Sequence, residues 1–275
     1  MSARARRSCL TVPGSSERML AKAPSLAPDE VIVDLEDAVA ADDKERARGL
    51  AVGAIRRGPL ARTTALRVNG RSTPWWEDDL RAAAAERPDV VVLPKVESPE
   101  DVSAAADQLP DSVGLEAQIE TARGLVEVER IAAVGAGFRL EALVFGPADL
   151  AASLGVPVLT IGAGTSDHAL ARVVAAARAF GLQALDGPHA RLGDDLGVVL
   201  SARRAYEHGY DGKWVIHPSQ IEPVNSIFTP SPAELERAQR ILEAASGAAR
   251  FEGELVDEAS RKLAESLLRR AELLA

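Results

Sequence analysis

Short apolar, β-branched runs alternate along this chain with Ala-rich stretches studded with Arg and Glu, a pattern that predicts repeated strand–helix units. Eight runs read as strands: Cys9 to Val12, Val31 to Leu35, Ala65 to Val68, Val90 to Pro94, Gly114 to Ile119, Ala142 to Phe145, Gln183 to Leu185 and Trp214 to Ile216. Several are apolar at every position, as expected of strands covered by helices. Helix starts are written between them. Ser98-Pro99-Glu100-Asp101 reads as an N-cap, a first-turn Pro and an acid at the third position. Ser231-Pro232-Ala233-Glu234 is a capping box, followed by Leu235, Ala238, Ile241, Leu242 and Ala245 at helical spacing. A last amphipathic helix is expected over Ser260 to Leu274. Eight units in 275 residues suit an α/β fold of the (β/α)₈ TIM-barrel type over 1–228, with a C-terminal helical extension over 229–275 acting as lid or oligomerisation segment.

Composition narrows the partners. Apolar residues make up 47% of the chain but aromatics only 4%, so the core is built from Ala, Val, Leu and Ile. A net charge of −9 argues against nucleic acid, because phosphate binding needs a basic face. The same charge requires any anionic substrate to be held by a few local cations. Cys9 is the only cysteine, which excludes an intramolecular disulfide and points to a reducing cytoplasm. No apolar run is long enough to span a membrane. Arg4, Arg6 and Arg7 imitate the start of a signal peptide, but Cys9 to Val12 is too short for its apolar core, so a basic tail is expected.

Chemistry gathers where the strands end, which in a barrel is where active sites form. The second run ends in Asp34-Leu35-Glu36-Asp37, the third carries Arg67 and ends at Asn69-Gly70, and the fourth ends at Lys95. Glu120, Asp149, Asp186-Gly187-Pro188 and His217-Pro218 close the next four. Glu120 and Asp149 come from adjacent strands, and two hard carboxylates suit Mg²⁺, with water and substrate oxygens completing the shell. A pair of helix-capping acids is the alternative. Arg67 lies inside an apolar strand, where an unpaired cation is very costly. Its planar fork suits a bidentate grip on a substrate carboxylate, and equally a salt bridge to Asp34 or Glu36; the two uses are compatible. Pro13-Gly14-Ser15-Ser16, with Arg18 and Lys22 a turn apart, offers backbone N–H groups and two cations to a phosphate. His217 is read as pocket wall rather than as an acid–base group; His168, His189 and His208 as surface or loop residues; and Trp75 and Trp76 as packing or subunit-contact groups.

In order along the chain, Val12-Pro13-Gly14-Ser15, Asp34-Leu35-Glu36-Asp37-Ala38-Val39, Arg67-Val68-Asn69-Gly70, Leu93-Pro94-Lys95-Val96-Glu97, Ile119-Glu120-Thr121-Ala122, Gly146-Pro147-Ala148-Asp149, Gly212 to Pro218 and Gly253 to Asp257 resemble the HpcH/HpaI aldolase and citrate lyase β-subunit superfamily. Among its members the chain is most similar to malyl-CoA lyases of the CoA-ester lyase branch. The resemblance implies a homotrimer or homohexamer, Glu120 and Asp149 as ligands of Mg²⁺ (Mn²⁺ as alternative), and Arg67 as the clamp on a 2-oxo acid. It implies Glu36 and Asp37 as further acids of the catalytic set. CoA would be held by Pro13, Gly14, Arg18, Lys22, Ile216 and His217, and Ala148 would touch the acyl group. Asp257 would act as acid–base residue in a neighbouring subunit's site. Two departures stand out: Ser16 replaces an Arg of malyl-CoA lyases, with Arg18 half a turn on, and the stretch from Val156 to His168 is shorter.

The activity so implied is reversible cleavage of a 3-hydroxyacyl-CoA such as malyl-CoA or β-methylmalyl-CoA into glyoxylate and acetyl- or propionyl-CoA. The alternatives are citryl-CoA or citramalyl-CoA cleavage, including as a subunit that depends on an acyl carrier protein, and thioester hydrolysis after condensation.

Overall fold

The computed structural model describes residues 4–135, 137–156, 167–244, 249–251 and 254–274. The shortened stretch between Val156 and His168 therefore lies largely outside the described residues, as do Ala245 and Gly253. The chain divides into two compact units, 1–225 and 226–275. No helix among the described residues is long and apolar enough to cross a membrane.

In the first unit eight parallel strands close into a barrel: β1 (Ser8–Pro13), β2 (Glu30–Asp34), β3 (Thr63–Arg67), β4 (Val90–Leu93), β5 (Gly114–Ile119), β6 (Leu140–Phe145), β7 (Gln183–Asp186) and β8 (Gly212–Val215). The ring is completed by β8 pairing with β1, Cys9 opposite Trp214. Between strands run α1 (Glu17–Lys22), α2 (Lys44–Arg56), α3 (Trp76–Glu86), α4 (Pro99–Ala106), α5 (Ala122–Gly135), α6 (Pro147–Ser153), α7 (Asp167–Ala179) and α8 (Asp195–Glu207), with α9 (Ile221–Phe228) after β8. All eight expected strands form, but most begin earlier than the apolar runs suggest. The ladders open on polar residues that the barrel buries, among them Glu30, Thr63, Thr64 and Lys213, which an apolar count passes over. The Ser98 capping box forms as read.

Side chains alternate in and out along each strand, so the barrel interior is layered. Its middle is apolar: Cys9, Ile32, Ala65, Val90, Val92, Ala142, Val144, Leu185 and Trp214 form one buried cluster. On β2, Glu30 lies two residues before Ile32 and Asp34 two residues after it, whereas on β5 Glu116 and Gln118 are successive interior positions with no apolar residue between them. Except at β5, an apolar belt therefore separates a charged base from a charged mouth.

At the base the fully buried Arg6 reaches Glu30 (2.8 Å), Glu116 (2.9 Å) and Glu141 (2.6 Å), and donates to Gln183 Oε1. Burial, aided by the charge of Glu30, pushes the Glu116 carboxyl up to about 8. The native state thus holds a proton that the unfolded chain gives up near the ordinary carboxylate value of 4.5. Between those two values the native state binds more protons, so this group's contribution to stability falls as pH rises through that window. Glu116→Gln should remove that slope: the wild-type unfolding midpoint will drop relative to the variant's from pH 5 to pH 8. Parallel midpoint–pH curves would refute the assignment.

The second unit pairs α10 (Pro232–Glu243) with α11 (Glu258–Leu274). Ser231 forms the expected capping box with Glu234. Between these helices in sequence an antiparallel pair, β9 (Ala249–Phe251) and β10 (Glu254–Val256), adds two short strands to the helical extension expected from sequence. Segments of three residues carry too little periodicity to be read as strands.

Candidate active site

Asp34, Glu36, Arg67, Lys95, Glu120 and Asp149 meet at the C-terminal mouth of the barrel. Asp34 and Arg67 are register partners on β2 and β3, and their side chains form a bidentate pair, Nε and Nη2 each donating over 2.6 Å. The guanidinium also reaches Glu36 Oε2 (3.1 Å) and Gln118 Oε1 (3.3 Å), and lies over the Trp214 ring at 5.4 Å. Asp34 therefore occupies its Nε/Nη2 edge while Glu36 and Gln118 stand at Nη1, so a ligand meets the second N–H of Nη2 and shares Nη1 with these two. Arg67 in turn holds the Asp34 carboxyl below the usual carboxylate range, against the effect of burial.

Glu120 follows β5 and is buried, accepting from the Lys95 backbone amide (2.8 Å) and from Gln118 Nε2 (3.1 Å). Burial pushes its carboxyl up to about 7; Arg67 opposes this, while the charges of Asp149 and Glu36 add to it. Asp149 sits in the first turn of α6. Gly146 brings the two acids together, because a Cβ there would collide with the side chain of Glu120. Gly187 does the same from the next strand, packing where a Cβ would strike Pro147 and the Phe145 carbonyl, and buried Lys213 fixes it by donating to Asp186 and to the Gly187 carbonyl (both 2.5 Å).

Lys95 joins the acids: its ammonium bonds Glu36 and lies 3.5 Å from Asp37 and 3.7 Å from Asp149. Lys44, donating to the Leu35 and Glu36 carbonyls and lying over the Trp75 ring, braces the same loop. Counted as fully ionised, Asp34, Glu36, Asp37, Glu120 and Asp149 exceed Lys44, Arg67 and Lys95 by two negative charges, an excess that the raised Glu120 carboxyl reduces near neutral pH. Among the described residues no three His, Cys, Asp or Glu side chains are grouped to hold a metal. A pair of hard carboxylates with that charge deficit fits Mg²⁺, which keeps several positions for water and substrate oxygens.

These residues border a cavity of about 150 Å³, walled by Asp37, Arg67, Gln118, Glu120, Phe145, Pro147, Ala148, Asp149, Pro188 and Trp214 among others. Two of its lining residues, Thr11 and Trp214, each carry a polar side-chain atom that is buried without a hydrogen-bond partner among the described residues. A second cavity of about 280 Å³ shares Thr11 and Ile216 with the first and is lined by Arg18, Met19, Lys22, His217 and Pro218. The first-strand loop differs from a backbone cradle. The Gly14 and Ser16 amides donate to the Asp34 and Pro13 carbonyls, and Ser16 caps α1. What remains for an anion is Arg18 and Lys22. Gly14 itself packs against the Asp34 carbonyl, too closely for a side chain.

Asp257 belongs to the second unit. It caps α11, accepting from Ser260 N (3.0 Å) and Ser260 Oγ (3.2 Å), and the bond from Ser260 N keeps its carboxyl below the usual range. His217 accepts from Ser219 N, His208 bonds the Arg204 carbonyl, and His189 pairs with Asp194. Gln118, Thr11 and Trp214 were not singled out as site residues from sequence. Gln118 carries a signal, since it shares a strand face with Glu120 two positions on.

A closed (β/α)₈ barrel with paired acids at its C-terminal mouth defines an enzyme. The pattern of the HpcH/HpaI aldolase/citrate lyase family matches residues 7–218, and that of the carbon–carbon bond lyases of the TIM-barrel fold matches residues 201–275. A (3S)-malyl-CoA thioesterase of Cereibacter sphaeroides (strain ATCC 17025) is 39% identical over 281 residues, 98% of this chain and 95% of that protein. An L-malyl-CoA/β-methylmalyl-CoA lyase of Cereibacter sphaeroides (strain ATCC 17029) is 37% identical over 311 residues, 99% and 96% of the two chains. The crystal structure of CitE from Mycobacterium tuberculosis with magnesium, acetoacetate and coenzyme A superposes with a TM-score of 0.82 at 33% identity, covering 98% of this chain and 99% of that one. The chain belongs to the HpcH/HpaI aldolase/citrate lyase family, and within it to the CoA-ester lyases, which are carbon–carbon lyases.

Proposed function

We propose that this enzyme binds Mg²⁺ through Glu120 and Asp149 and cleaves, or forms, a short 3-hydroxyacyl-CoA bearing a carboxylate, of the malyl-CoA type. The observation that carries this reading is the convergence of the two acids and Arg67 on one small cavity that adjoins a second, cationic one. About 150 Å³ beside a guanidinium suits a short dicarboxylic acyl group. Arg18 and Lys22 answer the phosphates of CoA, with Ile216 and His217 along the connecting wall. When bound, the divalent ion supplies Lewis acidity toward the hydroxyl and carboxylate oxygens of the substrate. Arg67, fixed by Asp34 and Glu36, orients the carboxylate with its remaining N–H groups. Ala148 and the apolar residues around it exclude water from the carbon–carbon bond. Asp257 of a neighbouring copy of the chain exchanges the proton at the α-carbon of the acyl-CoA product. Its cap bonds favour the ionised form that proton abstraction requires, and release of those bonds would raise its basicity. Leu196, Val199 and Leu200 form an exposed apolar stripe along α8, with exposed Leu192 just before it, a surface suited to the homotrimer or homohexamer this requires.

A second reading has its own support. The alignment with the thioesterase spans 281 positions and that with the lyase 311, for nearly the same share of this chain. This protein thus lacks about forty of the positions aligned to the lyase and only about ten of those aligned to the thioesterase, a likeness in length that favours hydrolysis of the thioester as the net outcome. One assay separates the readings. Purified protein is incubated with malyl-CoA and Mg²⁺, with and without EDTA. Acetyl-CoA with glyoxylate marks cleavage; free CoA with malate marks hydrolysis. Inertness toward malyl-CoA alongside turnover of citryl-CoA would replace both with the citrate-lyase alternative.

A further inference from the structure

Lys95 combines two features that no other described residue of the mouth shares. Its backbone lies in the left-handed region at φ 52°, a strained position for a side-chain-bearing residue. That conformation turns its amide onto Glu120 Oε1 (2.8 Å) while its ammonium reaches Glu36, Asp37 (3.5 Å) and Asp149 (3.7 Å). One residue therefore touches four carboxylates around the cavity. Glu36 and Asp37 are chemically as able as Glu120 and Asp149 to ligate a hard cation, and Glu36 is close enough to Glu120 for their charges to interact. If all four closed on a Mg²⁺ ion, they would fill most of an octahedron and leave a chelating substrate no room.

We propose that Lys95 is a positioning residue that keeps Glu36 and Asp37 off the metal, so that only Glu120 and Asp149 ligate it and the remaining positions stay open to substrate oxygens. This rests on the reading of Glu120 and Asp149 as the ligands. The ammonium holds the other two acids by charge, and its amide holds Glu120 in the orientation the ion needs. Glu36, so held, also keeps its contact with Arg67. The arrangement makes a distinct prediction: losing the lysine should strengthen metal binding and weaken substrate binding.

The test is calorimetric titration of the full-length protein with Mg²⁺, then with glyoxylate at saturating Mg²⁺, for wild type, Lys95→Met, Lys95→Gly and Lys95→Arg. Lys95→Gly relieves the backbone strain, so it remains informative if the Met variant fails to fold; circular dichroism checks each. Met and Gly variants should bind Mg²⁺ at least about tenfold more tightly, having lost a cation beside it, and glyoxylate at least about tenfold more weakly. Lys95→Arg should stay near wild type. Unchanged or weaker Mg²⁺ binding in the Met and Gly variants would overturn the proposal, as would tighter Mg²⁺ binding with glyoxylate affinity unaltered. A wild-type protein that binds no Mg²⁺ would instead refute the ligand assignment itself, and this inference with it.

Discussion

Exchanging Glu120 for Gln and Asp149 for Asn together should abolish Mg²⁺-stimulated turnover and leave a protein with the same circular dichroism. Both substitutions keep shape and remove charge. Glu120→Gln keeps the bond accepted from the Lys95 amide and loses the one accepted from Gln118 Nε2, a modest cost, and Asp149 is partly exposed at a helix start. Stability should even rise slightly above neutral pH, since a buried carboxyl whose pKa lies near 7 has to ionise there at a cost. Divalent ions of this kind contribute several kcal/mol of transition-state charge stabilisation, about a thousandfold or more in rate. Calorimetric Mg²⁺ binding and an EDTA-sensitive rate decide the matter. Metal-stimulated activity that survives the double exchange would sink the site.

Asp257→Asn carries the second large effect. An acid–base group contributes about 10²- to 10⁴-fold, so turnover should fall by that order while Mg²⁺ and CoA-ester affinities remain near wild type. Asn is itself a good N-cap, and its side-chain oxygen can still accept from the Ser260 amide, so α11 should keep its start. A merely structural Asp257 would therefore show almost no loss. If the residue works in a neighbouring copy, mixing inactive Asp257→Asn chains with inactive Glu120→Gln chains should restore part of the activity through hybrid assemblies. Failure of both the loss and the rescue would return this residue to a plain helix cap.

Much of this architecture could be read from residue order, and the misses have physical causes. β-Branched runs located every barrel strand, since strands buried on both faces must be apolar almost throughout. Several beginnings were misplaced because buried charge defeats an apolar count: Glu30 and Lys213 look like surface residues until Arg6 and Asp186 are seen beside them. The mouth acids were legible because each closes a strand. Lys95 was visible only as the end of a run, since its left-handed backbone and its reach across to β2 and α6 arise from closure of the barrel. The same holds for Arg67: its position in Leu66-Arg67-Val68 shows that it must be paired, but only register alignment with Asp34 shows which of its edges is taken. The β9–β10 hairpin is short and flanked by helices with strong start signals, so helix was the natural reading there.

The belt of aliphatic side chains across the middle of the barrel acts as an insulator between two ionic assemblies. It keeps water and ions from passing between them, and exchanging Glu116 alone for Gln, which leaves Arg6 paired with Glu30 and Glu141, is a route to a protein that better tolerates alkaline conditions without touching the residues of the mouth.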